Sequence, residues 1–191
     1  MDTTSLDTQW HQIAICAALT ERSFPNFALF CELESKGDDL TSARKMLNKV
    51  WEFLRGQLKS QKNIEKQLET IQAIIPNPED YEHYGAYPAM DTMLGLQSCL
   101  QGIVDSSIRD ADTILVMMRE RLQEVIALQT DEDTLSETVI EQNPLWVRHQ
   151  EFEGEVFALL TRTIAHAEHV KALIPLSSDN GVSHIGICVN D

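Results

Sequence analysis

Apolar residues return at every third or fourth position along almost the whole chain, and stretches of strict alternation are rare, which predicts helix nearly throughout. Seven helices are expected. The first covers residues 6–22, with Trp10, Ile13, Ala14 and Ala17 on one face and Thr4 or Ser5 as cap. After Ser23, Pro25 suits the first turn of a short second helix carrying Phe27, Leu29, Phe30 and Leu33. The third (39–58) turns Ala43, Leu47, Val50, Trp51, Leu54 and Leu58 inward, and the fourth (62–75) uses Ile64, Leu68, Ile71 and Ile75. Asn77-Pro78 and Asn143-Pro144 each read as a cap followed by proline at the first helical position.

The fifth helix (86–104) is apolar nearly all round, which places it in the middle of a bundle. The sixth (107–129) carries Ile108, Ala111, Leu115, Met118, Leu122 and Val125 at alternating spacings of three and four, a bundle seam. Thr134 and Glu137 suggest a capping box on a short connecting turn. The seventh (144–174) continues the seam through Leu145, His149, Phe152, Val156, Leu159, Thr163, His166, Val170 and Leu173. After Pro175, SSDNG signals a turn, and HIGICV has the β-branched content of a short extended segment that packs on the bundle or pairs with another copy. The expected architecture is therefore all-α: one helical bundle over residues 1–191, with helix 86–104 central, helices 107–129 and 144–174 along its seam, and a short extended C-terminal tail from about 175.

Charge changes this picture more than composition does. The net charge is −15, yet residues 36–66 are +4 and the remainder −19. Such an acidic molecule repels nucleic acid and anionic membranes, so neither is an expected partner. The basic stretch, with Lys45, Lys49, Lys59, Lys62 and Lys66 away from the apolar face, is a solvated face or a dock for an acidic surface, including that of a second copy. No Lys or Arg occurs from 67 to 108, so any buried acid there must borrow a cation from elsewhere. Cys16, Cys31, Cys99 and Cys188 are scattered without a paired motif, which fits free thiols in a reducing compartment. With no secretory leader and no long apolar run, the expected setting is the cytoplasm.

All three tyrosines, Tyr81, Tyr84 and Tyr87, fall at intervals of three in a loop shared with Asp80, Glu82, His83, Gly85, Pro88 and Asp91. Aligned on one turn, they either offer a partner surface around Tyr81 and His83 or wedge aromatics under the entry to the central helix. Arg22 is the only base before Lys36. If it packs near Asp91 or Asp80 it supplies the missing cation, in a structural ion pair or in a polar pocket of Arg22, Asn26, Tyr84, Tyr87 and Asp91 for an anionic or zwitterionic metabolite. A di-iron bundle requires E-x-x-H motifs, and no histidine here follows a glutamate at that spacing. His149 and His166 would stand about 25 Å apart on one helix, too far to share a metal. There is no G-x-S-x-G, no paired Cys and His motif and no phosphate loop, so no catalytic residue, metal or cofactor is assigned.

CAALTERSFPNFALF at 16–30, DYEHYGAYPAMD at 80–91 and the terminal SHIGICV together resemble the YjaG-like family of small bacterial proteins, nearly end to end. The resemblance implies a helical fold and a bacterial cytoplasmic setting, and brings no activity or site residues. Two functions stay open: a non-enzymatic interaction or regulatory protein, including a homo-oligomer, that presents loop 80–91 or an acidic face to a protein partner; or a small-molecule-binding protein or enzyme built on the polar pocket.

Overall fold

Thr8 starts the first helix, its hydroxyl accepting a hydrogen bond from the His11 amide at 3.3 Å. The computed structural model describes residues 6–188 except 59, 61 and 131–135, so the expected caps Thr4 and Ser5, and Thr134 of the capping box, lie outside the described residues. Helix α1 then runs unbroken over Gln9–Leu33, straight through Pro25, which corrects the expected break after Ser23. Proline inside a helix removes one hydrogen bond and crowds the carbonyl four residues back, at about 3 kcal/mol. Continuing the helix buries Phe27 and Phe30, about 1.5–3 kcal/mol for each such side chain. Packing therefore outweighs the proline.

Helices α2 (Gly37–Leu54) and α3 (Lys62–Ile74) are amphipathic; the apolar face of α2 lies on α1 and α4 (Ala86–Val104), and that of α3 on α4. Asn77 caps a 3₁₀ turn at Pro78–Asp80 rather than a full helix. The most extensive pairing in the molecule is α1 with α4. Small side chains permit it: Ala14, Ala17 and Ala18 are buried on α1, while Gly95 and Gly102 of α4 face Thr20 and Ile13. A Cβ at position 95 would stand 2.7 Å from the Thr20 hydroxyl, which is already committed to the Cys16 carbonyl. Gly95→Ala should therefore destabilise by about 1–3 kcal/mol despite its better helix propensity. Gly154, inside α7 (Pro144–Leu160), has open space where a Cβ would go, so Gly154→Ala should stabilise by about 0.5–1 kcal/mol. Urea unfolding of the two variants tests both signs.

Helix α5 (Ala111–Thr130) packs on α1, α4 and α7, and short α6 (Glu137–Gln142), capped by Ser136, leads into α7, capped by Asn143. The expected single helix 144–174 is two, because the chain breaks between α7 and α8 (His166–Ser178). β-branched Thr161, Thr163 and Ile164 are exposed there, so neither propensity nor burial holds the helix together. The break lets His166 stack on Trp10 with 4.0 Å between ring centres. The seam expectation is corrected too: α7 packs on α1, α5, α6 and α8, while α4 is flanked by α1, α2, α3 and α5. Pro175 sits inside α8. After a second 3₁₀ turn (Asp179–Gly181), the tail makes one antiparallel bridge, Val182 to Cys188, and tucks Ile185 against Leu122, Ile126 and Trp146. Among the described residues there are eight α-helices and no strand, and no helix is long and apolar enough to cross a membrane.

Candidate functional site

Loop 81–85 is pinned from inside. Tyr81 packs edge-on against Phe30 with 4.9 Å between ring centres, and His83 Nε2 lies 3.0 Å from Glu34. Both residues expected to greet a partner are thus engaged within the chain. Tyr84 and Tyr87 stand side by side at 5.7 Å, with the Arg121 guanidinium over both rings. Arg121, from α5, is the cation that Asp91 borrows: Nε donates to Asp91 at 2.6 Å, and the same guanidinium contacts the Tyr84 hydroxyl and Glu124. Burial pushes the Asp91 carboxyl above the usual carboxylate range, against the pull of Arg121.

Arg22 serves neither Asp91 nor Asp80, correcting that expectation. Its guanidinium lies over Phe152, donates to the Leu176 carbonyl at 3.1 Å and pairs with Asp179. Asp179 ends α8 in the left-handed region (φ +41°), where aspartate is tolerated better than most residues, and its carboxylate also meets Arg148, whose Nε donates at 3.0 Å. Burial alone would raise the Asp179 carboxyl, but the two arginines hold it below the usual range. Beside this pair, His149 Nε2 lies 3.1 Å from Glu153, which also receives Arg119 at 2.9 Å. Burial likewise works against ionised Glu153, and His149 and Arg119 prevail. His184 sits within this assembly, 5.7 Å from the His149 ring, with no hydrogen-bond partner at either nitrogen. Burial, reinforced by His149 and the arginines, drives its pKa well below the usual histidine value.

Of the five residues expected to share a pocket, Asn26 and Tyr84 do line one cavity. Its volume is about 420 Å³, and it opens between the C-terminal half of α1, loop 83–88, α5 and the tail. Leu29, Phe30, Pro88, Val125, Ile185 and Ile187 make apolar walls. Leu33 and Leu128, 60% and 66% exposed, belong to the same lining. Arg22, Tyr87 and Asp91 are not part of it. The anionic or zwitterionic ligand expected from the sequence thereby loses its cation, since Arg22 is paired with Asp179 and Arg121 with Asp91.

Other chemistry is muted. The neighbouring Cys99 thiol and burial push Cys16 well up, and burial pushes Cys31 up to about 12, so neither is a nucleophile near neutral pH. Among the described residues, no group of three or more His, Cys, Asp or Glu is placed to hold a metal ion. Lys45, Lys62 and Lys66 are exposed on the outer faces of α2 and α3, Lys49 is half-buried and pairs with Glu52 at 2.6 Å, and Lys59 lies outside the described residues.

Sequence reasoning missed Arg121, Arg148, Asp179 and His184. The signal for Arg121 was present: a cation-free stretch containing a buried aspartate needs a base from the next helix. His184 carried none, because its burial depends on how the tail folds back.

Nearly the whole chain is similar to proteins of bacteria. It is 31% identical over 187 residues to a YjaG protein of Salmonella typhimurium, an alignment covering 93% of this chain and 90% of the relative. An uncharacterized protein of Haemophilus influenzae is 29% identical, with 93% and 91% covered. The crystal structure of a DUF416 family protein from Shewanella baltica superposes with a TM-score of 0.83 at 26% identity, covering 99% of each chain. The family model described as "Protein of unknown function (DUF416)" matches residues 5–188, and the chain belongs to that family.

Proposed function

We propose that this chain is a non-enzymatic binding protein of the bacterial cytoplasm, and that the cavity between α1, loop 83–88, α5 and the tail receives a small, largely apolar molecule. The observation that carries this reading is the cavity itself, with its apolar walls and the exposed leucines Leu33 and Leu128 in its lining. A concave site of 300–1,000 Å³ with apolar walls and few polar groups is the usual form of a small-molecule receptor. Of the five-residue pocket expected from the sequence this reading uses Asn26 and Tyr84, and it replaces the anionic or zwitterionic ligand with a neutral one. The buried thiols of Cys16, Cys31 and Cys99 support the reducing setting.

The test is binding of the neutral fluorophore N-phenyl-1-naphthylamine to the unaltered chain and to Val125→Trp, which fills the cavity with a bulky wall residue. One molecule should bind per chain, and the variant should weaken binding by at least about tenfold while unfolding cooperatively, since lost apolar contact of a few methylenes is of that size. Unchanged affinity in a folded variant rules the cavity out as the receptor.

A further inference from the structure

A second cavity, of about 590 Å³, opens between α1, α2 and the turn that ends α8, and shares no lining residue with the one at Tyr84. Phe24, Pro25, Ala28 and Leu40 supply apolar surface, and Arg44 and Lys45 of α2 bring positive charge. Arg44 is held in place before any ligand arrives. Its Nη1 donates to Glu21 at 2.7 Å, Trp51 Nε1 donates to the other oxygen of Glu21 at 2.9 Å, and the guanidinium lies 3.7 Å from the centre of the Phe24 ring.

The other edge of that guanidinium is unused. In Arg119, Arg121 and Arg148 the edge formed by Nε and Nη2 grips a carboxylate, that of Glu153, Asp91 and Asp179 respectively. In Arg44 neither Nε nor Nη2 has a partner among the described residues. Both stay open to solvent: the side chain is 39% exposed, and neither atom is enclosed as Nε of Arg22 is. Two parallel N–H donors in one plane are the complement of a carboxylate.

We propose that this cavity binds a small carboxylic acid as its anion, with the carboxylate on the free edge of Arg44 and a short apolar body against Phe24, Pro25, Ala28 and Leu40. The site is independent of the apolar receptor. Although the chain carries −15, residues 36–66, which include all of α2, are +4. Arg44 already shares its charge with Glu21, so exposed Lys45 is left to balance one negative charge. A phosphate monoester brings nearly two at neutral pH. A neutral amide offers the fork one acceptor in place of two and no charge.

Hexanoate, hexanamide and hexyl phosphate, titrated calorimetrically into the unaltered chain, separate these chemistries. Hexanoate should bind at one site per chain, at least about tenfold more tightly than hexanamide, and should weaken as ionic strength rises. The double variant Glu21→Gln with Arg44→Met, which removes both charges of the pair together, should bring hexanoate down to the affinity of hexanamide. Lys45→Glu, at an exposed position where folding is not at stake, should weaken hexanoate several-fold, and Val125→Trp, which fills the other cavity, should leave it unchanged. Hexanoate no tighter than hexanamide, hexyl phosphate tighter than hexanoate, or no binding by any probe overturns the proposal. So does hexanoate affinity that survives Lys45→Glu or is lost in Val125→Trp. The probe comparison and Lys45→Glu decide the matter even where the double variant does not fold.

Discussion

Replacing Arg121 with Met should destabilise the fold by about 3–5 kcal/mol at neutral pH, because it leaves a buried carboxylate without its counter-ion. Asp91 is 2% exposed, and its close cation is Arg121 from the neighbouring helix. Burial already raises the Asp91 carboxyl, and losing Arg121 raises it further, whereas in the unfolded chain it titrates near 3.8. Between those two values the folded variant holds the proton and the unfolded chain does not. Stability of Arg121→Met should therefore rise as pH falls through the folded pKa toward 3.8, opposite to the usual acid trend of a paired carboxylate. The double variant Asp91→Asn with Arg121→Met should recover most of the loss. Urea titrations of the single and double variants from pH 8 to pH 4 measure all three statements. A single variant within 1 kcal/mol of the parent, or a double variant no better than the single, removes Asp91–Arg121 from the supports of the fold.

His184→Leu should have the second largest effect, and its sign depends on pH. The imidazole is 3% exposed, lacks partners at both nitrogens and is held neutral by burial, His149 and the surrounding arginines. The unfolded chain takes up this proton near 6.5, the folded chain only well below that value. Below pH 6.5 the unfolded state thus binds the extra proton, and stability falls by about 1.4 kcal/mol per pH unit until the folded pKa is reached. Leucine, of similar volume, removes that titration and replaces two unsatisfied atoms with carbon. At pH 8 the variant should match or exceed the parent by up to about 1–3 kcal/mol, and its advantage should widen steadily below pH 6.5. Parallel stability curves for the two proteins from pH 8 to pH 5 would show that His184 has a hidden partner or protonates freely.

The sequence revealed rods better than it revealed joints. Periodicity located α4 almost residue for residue, and Asn143-Pro144 marked the start of α7, because those signals act within one turn of backbone. Pro25 misled, since the local rule that proline begins helices was overruled by the burial of Phe27 and Phe30 beyond it. The split at 161–165 went unseen because Thr163 and His166 keep the seam spacing although both are exposed. The same limit applied to the site. Asn26 and Tyr84 were legible as neighbours of one cavity, drawn from a polar break and an aromatic cluster. Arg22 was assigned the wrong carboxylate, because Asp179 reaches it only through the left-handed turn that ends α8. Partners chosen by long-range folding leave no mark on either residue alone.

The pairing of α1 with α4 also has a temporal side. Ribosomes deliver the N-terminal rod first, and its glycine-bearing mate ends some seventy residues later, at Val104. At 5–20 residues per second that interval lasts roughly 4–14 s, during which the buried face of the first helix has only α2 to lie against. Newborn copies should accordingly be at their most adhesive, and most in need of a chaperone's shelter, before the fourth helix clears the exit tunnel.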